Sequence, residues 1–242
     1  MDTTRYPVKL TGKNMQIQTS NAPADAVAKD LAQYIENVSP RTVVCFYAGG
    51  SALAVFENLK LSAEAKVRTI LLAGDERVSG EATANNCLGL QSKLNNQAEL
   101  TVIDSVAQPD ETADSLAARL NSEFQKILFS APDACIISIQ GIGEDGHTAS
   151  IFPGSEEWFR ETYEHDSTYV PVPTKGLREH PRASVTPGFI TAQIEKLFVY
   201  AAGQTKANVL KTLKDSESAV NELPAQLCKQ HPDCTIYTDQ TV

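Results

Sequence analysis

Positive charge is scarce in this sequence: 21 lysines and arginines stand against 30 aspartates and glutamates, a formal net charge of -9 over 242 residues. Nucleic-acid binding rests on Lys and Arg neutralising phosphates, so a nucleic-acid partner is not expected. A single phosphate on a small molecule needs only a few local donors and stays open. Long apolar runs are also missing. No stretch approaches the roughly 18 residues of a membrane span, and Met1 to Leu10 lacks the apolar core of a secretory signal. The five cysteines (Cys45, Cys87, Cys135, Cys228 and Cys234) are odd in number and form no Cys-x-x-Cys pair. Cys45 and Cys135 lie in apolar runs, where a thiol behaves as a small hydrophobe. A reducing, cytoplasmic setting is expected rather than a disulfide framework. The histidines at 147, 165, 180 and 231 show no His-x-x-x-His or comparable ligand spacing, so no metal site is expected.

What is present reads as an ordinary globular chain, 42% hydrophobic and 21% charged, with no repeat and no clear boundary, hence one domain over 1–242. Four short apolar runs are β-prone: 42–47, 67–72, 134–139 and 196–201. Runs without alternation fit strands buried on both faces, as in a parallel sheet. Between them Val27, Leu31, Tyr34, Ile35 and Val38 recur at helical spacing, as do Ala113, Leu116, Ala117, Leu120, Phe124, Ile127 and Leu128. Pro109-Asp110-Glu111 reads as the start of the second helix, and 204–214 as a third. Strands alternating with helices predict a doubly wound α/β fold, a mostly parallel sheet with helices on both faces. The stretch 152–188, rich in Pro and charge, reads as a long connection or lid. Ligands of such folds bind beyond the carboxyl ends of the strands.

Four segments fall at those ends. Gly49-Gly50-Ser51 follows the first run, and paired glycines let backbone N–H groups approach an anion. A tight strand-to-helix turn explains them equally well. Asp75-Glu76-Arg77 follows the second run; Arg77 offers a fork for phosphate, although a solvated charged turn is the favoured reading of this segment taken alone. Gly141-Ile142-Gly143-Glu144-Asp145-Gly146-His147 follows the third. Its glycines permit sharp turns and close approach, and Asp145 and His147 are spaced to point into one pocket. A histidine beside a carboxylate suits general-base work near neutral pH. The same segment fits Gly-x-Gly-x-x-Gly, but Pro153-Gly154 would cut short the helix that a dinucleotide site requires. Lys206, just after the fourth run at a helix start, opposes the helix dipole unless an anion lies between. Arg182, near Pro181, joins this group.

In order, these segments resemble the 6-phosphogluconolactonase family from about Phe46 to about Asp239. Gly141-Ile-Gly-Glu-Asp-Gly-His-Thr-Ala-Ser-Ile-Phe-Pro-Gly154 is similar to that family's central motif, and Asp75-Glu76-Arg77, Arg182 and Gly203 to Lys206 to its others. The resemblance implies a fold related to sugar-phosphate isomerases and CoA transferases. It also implies a role in the oxidative pentose phosphate pathway, no cofactor, and hydrolysis of 6-phospho-D-glucono-1,5-lactone. The first loop departs from the family's usual Gly-Gly-Ser-Thr-Pro, reading Ser51-Ala52-Leu53. Val78-Ser79-Gly80 and Asn85-Asn86 stand where the family usually has Val-Pro and Ser-Asn.

On this reading His147 is the base and Asp145 its orienting carboxylate, as in hydrolytic triads. Amides of the glycine loop, Gly143 among them, support the oxyanion. Gly49, Gly50, Ser51, Asp75, Arg77, Arg182 and Lys206 hold the phosphorylated sugar lactone. The nearest rival is a glucosamine-6-phosphate deaminase, which carries a glutamate shortly after the histidine and a tyrosine after its acidic pair; here Phe152 and Arg77 stand there. A non-catalytic sugar-phosphate-binding module and an NAD-dependent oxidoreductase are the remaining alternatives.

Overall fold

The computed structural model describes residues 15–94, 99–174 and 179–242. Its strands are β1 (Met15–Thr19), β2 (Val43–Ala48), β3 (Thr69–Ala73), β4 (Asp75–Arg77), β5 (Thr101–Val102), β6 (Cys135–Gly141), β7 (Tyr169–Val172), β8 (Arg182–Val185), β9 (Lys196–Tyr200) and β10 (Cys234–Thr238). Its α-helices are α1 (Pro23–Asn37), α2 (Ala54–Asn58), α3 (Ala63–Val67), α4 (Asn86–Lys93), α5 (Ala113–Ser130), α6 (Glu156–Tyr163), α7 (Pro187–Gln193), α8 (Ala207–Asp215) and α9 (Leu227–Gln230).

Seven strands form one sheet in the order β1-β10-β9-β6-β2-β3-β5, every pairing parallel. The four apolar runs supply four of its five interior strands, β2, β3, β6 and β9; β10 is the fifth. All of β2 and β6 is buried, which explains their lack of alternation. Along β2 successive side chains still point to opposite faces. Val44, Phe46 and Ala48 face one core layer with Leu116 and Phe124 of α5 and Phe189 of α7. Val43, Cys45 and Tyr47 face the other, with Val27, Leu31 and Ile35 of α1 and Phe56 of α2. Helices therefore cover both faces, as the doubly wound pattern predicts. The Phe46 ring lies 5.2 Å from Phe124 and 4.9 Å from Phe189; such pairs are worth about 0.5–1.5 kcal/mol beyond the area they bury.

Three expectations are corrected. The helix expected to start after Pro109 starts at Ala113, because Thr112 caps it. The Thr112 hydroxyl accepts from the Ser115 amide (3.2 Å) and the Ser115 hydroxyl from the Thr112 amide (2.9 Å), a reciprocal box. Asp110 before it has φ 62° and stands outside the helix. Second, Asp75-Glu76-Arg77 is not a solvated turn but β4. Third, the described residues of 152–188, a range of which 175–178 lie outside them, carry α6, β7 and β8 rather than a plain connection. Strands β4, β8 and β7 make a second, antiparallel sheet of three, which sequence periodicity did not suggest.

The chain runs from β2 outward through β3 in one direction and from β6 through β9 in the other. The carboxyl ends of β2 and β6 thus flank a topological switch point, where open α/β sheets bind ligands.

Candidate active site

At that point four segments meet. Ala48 pairs with Gln140 across β2 and β6, and Gly141 with Tyr200 across β6 and β9. The chain after each of these strands therefore emerges side by side. Gly49 needs its glycine because φ is 84°, a left-handed conformation that side chains rarely adopt. The Ser51 hydroxyl lies so near Gly141 that a Cβ on the latter would be 2.8 Å from it. Gly50 to Leu53 form a 3-10 turn leading into α2, whose first amides have no partner within the helix.

The loop after β6 is folded on itself. The Gly143 amide donates to the His147 carbonyl (2.8 Å) and the Gly146 amide to the Gly143 carbonyl (3.0 Å). The Gly146 carbonyl accepts from Ala225 (2.8 Å), just before α9. This closed turn brings His147 back over Gly143. A Cβ on Gly143 would lie 2.0 Å from Nδ1 of the imidazole, so only glycine leaves room for the ring. Nδ1 is 2.5 Å from Oδ1 of Asp145. An ionised carboxylate only accepts, so in a neutral imidazole the hydrogen would sit on Nδ1 and leave the Nε2 lone pair open. His147 is one-third exposed, and the imidazole is open to solvent. The glycine amides expected to serve an oxyanion are engaged: those of Gly143 and Gly146 close the loop.

The second sheet contributes the cations. Arg77 and Arg182 are direct cross-strand partners on β4 and β8. Like charges opposite one another on an antiparallel pair destabilise it, so an anion is the natural complement. Within the protein their shared counter-charge is Asp75, with Oδ2 3.9 Å from Nε of Arg77 and 3.8 Å from Nη1 of Arg182. Arg77 also donates from Nη1 to the Ala84 carbonyl (2.8 Å) and Oδ1 of Asn86 (2.9 Å). Both arginines line a cavity of about 450 Å³ with Glu81, Thr83, Glu179 and His180.

Asp75, expected at the ligand, is 1% exposed. Its Oδ1 accepts from the Gly49 amide (3.2 Å) and Nδ2 of Asn86 (3.0 Å), its Oδ2 from the Ser150 hydroxyl (2.7 Å). It ties the first loop, the central segment and α4 together rather than facing solvent. Glu76, on the opposite face of β4, is buried too. It accepts from the amides of Arg77 (2.9 Å), Asn86 (2.8 Å) and Cys87 (2.8 Å) and from the Ser105 hydroxyl (3.1 Å). Burial pushes its carboxyl up to about 7 in spite of those donors, with Asp75 adding to the rise.

Phe152, 2% exposed, joins the two halves. Its ring centroid is 5.2 Å from the His147 ring and 5.4 Å from Cζ of Arg182. Tyr163 holds the segment in place, accepting from the Phe152 amide (3.0 Å) and donating to the Ser150 carbonyl (2.7 Å); Trp158 packs edge-on against Tyr163. Lys206 stands at the N-terminus of α8, after Gly203, whose amide donates to Asp239 (2.9 Å). No helix follows Gly141–Gly146 before α6 at Glu156, so the dinucleotide pattern lacks its helix. Among the described residues no cluster of three His, Cys, Asp or Glu is placed to hold a metal, and no helix is long and apolar enough to cross a membrane.

Ser150, Phe152, Asn86 and Ser184 escaped the sequence reading as site residues. Phe152 was legible only as the absence of a carboxylate, and Asn86 only as a departure from the family pattern.

The chain is similar to known proteins over most of its length. The family model for glucosamine-6-phosphate isomerases/6-phosphogluconolactonase matches residues 18–237. A 6-phosphogluconolactonase of Borreliella burgdorferi is 32% identical over 121 residues, 49% of this chain and 47% of that protein. The chain thus spans about half the length of that relative. One from Neisseria meningitidis is 26% identical over 217 residues, 88% of this chain and 90% of that protein. A crystal structure of a 6-phosphogluconolactonase from Shewanella baltica superposes with a TM-score of 0.76 at 18% identity, covering 95% of this chain and 98% of that one.

Proposed function

The chain belongs to the glucosamine-6-phosphate isomerase/6-phosphogluconolactonase family, and we propose that it hydrolyses 6-phospho-D-glucono-1,5-lactone to 6-phosphogluconate, a cytoplasmic step of the oxidative pentose phosphate pathway. Residues 1–242 act as one catalytic domain in this proposal. The observation that carries it is the His147–Asp145 pair, open to solvent at the switch point beside two paired arginines.

In this mechanism Nε2 of His147 takes a proton from water as the water oxygen attacks the lactone carbonyl. Asp145 fixes the ring and stabilises the imidazolium. The tetrahedral intermediate collapses by breaking the bond to the ring oxygen, and the imidazolium returns the proton to that oxygen. The acid product then ionises. Arg77, Arg182 and Lys206 grip the phosphate, with Gly49, Gly50 and Ser51 lining the approach, and Asp75 braces these groups from behind. Amides of Gly143 and Gly146 stay within their loop.

Phe152 favours this reading over deamination: where a deaminase would carry a carboxylate for ring opening, an apolar ring packs against His147 and Arg182. The test follows acid release from fresh 6-phosphogluconolactone at constant pH, and ammonia release from glucosamine 6-phosphate. Acceleration of the first alone is expected; ammonia release, or a lactone rate equal to background from folded protein, refutes it.

A further inference from the structure

Ser150 is fully buried, so it takes no direct part in gripping a ligand. Its hydroxyl nevertheless stands between the two charges that matter most for grip. It donates to Oδ2 of Asp75 at 2.7 Å and accepts from Nη1 of Arg182 at 3.4 Å, while Nη1 itself stops 3.8 Å from that same Oδ2. The backbone leaves the hydroxyl little freedom. The Ser150 amide donates to Ser184 Oγ (3.2 Å) and its carbonyl accepts from Tyr163 (2.7 Å).

A guanidinium this close to a buried carboxylate tends to close into a direct hydrogen-bonded pair. Here the serine oxygen occupies the contact that such a pair would use. Oδ1 is already taken by Gly49 and Asn86, so Oδ2 is the atom on which Arg182 would close. We propose that Ser150 is a positioning residue: its hydroxyl bridges Asp75 and Arg182, holding their ion pair at 3.8 Å with the guanidinium turned toward the ligand cavity instead of in direct hydrogen-bonded contact with the carboxylate. Without the hydroxyl, Arg182 closes on Asp75 and is competent to bind only in the fraction of molecules where that pair is open. Apparent affinity falls by that fraction, with the chemistry at His147 untouched. This inference rests on the reading of Arg182 as a phosphate anchor.

The experiment compares wild type, Ser150→Ala, Arg182→Ala and the double variant. It measures lactone kinetics alongside calorimetric titration with 6-phosphogluconate. Ser150→Ala is expected to raise both KM and the 6-phosphogluconate Kd about tenfold, the scale of one charged hydrogen bond, with kcat within about twofold. In the Arg182→Ala background the same substitution is expected to change either constant by less than about twofold, because it acts through Arg182. Unchanged KM and Kd, an equal loss of kcat, or a tenfold effect that persists without Arg182 overturns the proposal. Should Ser150→Ala fail to fold, Ser150→Cys, close in shape and a weaker donor, carries the same expectation at smaller size. A wild-type protein that binds 6-phosphogluconate without hydrolysing the lactone refutes the lactonase reading alone, and Ser150 is then judged by Kd. A wild type that does neither overturns both.

Discussion

The two sheets of this protein differ in what they give the site. The seven-stranded parallel sheet ends in backbone: glycine turns, and one imidazole held by its own loop. The three-stranded antiparallel sheet gives side-chain charge, with Arg77 opposite Arg182 and Asp75 beneath both. Phe152 is the point of contact. On the proposed reading the difference implies a division of labour: proton transfer falls to the loop of the large sheet and most of the grip to the arginines of the small one, with Lys206 after β9 as the large sheet's share. Substitutions in the two should separate kcat from KM.

The largest effect is expected at His147. His147→Ala removes general-base catalysis worth roughly 10²–10⁴-fold in turnover, measured as kcat at saturating lactone. Next is Gly143→Ala, which leaves the chemistry's residues in place but puts a Cβ 2.0 Å from Nδ1 of the imidazole. A base displaced by about an ångström loses on the order of 10²-fold, again in kcat, with thermal unfolding showing a folded protein. Arg182→Ala probes the other half. Loss of a charge-assisted contact of about 1.5–3 kcal/mol raises KM roughly ten- to a hundredfold. A comparable fall in kcat would break the comparison.

The remaining effect is on stability rather than on turnover or binding. Glu76 has its carboxyl raised from 4.5 to about 7 by burial. The native state therefore holds a proton that the unfolded chain releases first. Its contribution is full below about pH 4.5 and is lost as pH rises through about 7. Glu76→Gln should flatten the decline of unfolding free energy across that window. The change is on the order of 3 kcal/mol, read from urea denaturation at a series of pH values; an unaltered slope would refute it.

The large sheet was legible because β2, β3, β6 and β9 are buried over most of their length and therefore mainly apolar on both faces. β1, Met-Gln-Ile-Gln-Thr at the sheet edge, and the two-residue β5 carry too little pattern. β10 mixes threonines into a fully buried strand. The small sheet was hidden for a different reason. Asp75-Glu76-Arg77 looks like a surface turn because three adjacent charges are costly to bury. What makes burial possible is partners far along the chain: Asn86, Ser105 and Ser150. The same holds for the site. His147 and Asp145 stand two residues apart and could be read locally, whereas Ser150 and Phe152 matter only through contacts the fold creates with Asp75 and Arg182.

The most direct test of this division is to determine kcat and KM for His147→Ala and Arg182→Ala side by side, on the same batch of lactone with the spontaneous rate subtracted. The account predicts that the first loses kcat by roughly 10²-fold or more with KM nearly unchanged, and that the second keeps kcat while KM rises. Equal losses of kcat in both, or a His147→Ala protein as fast as wild type, would contradict it.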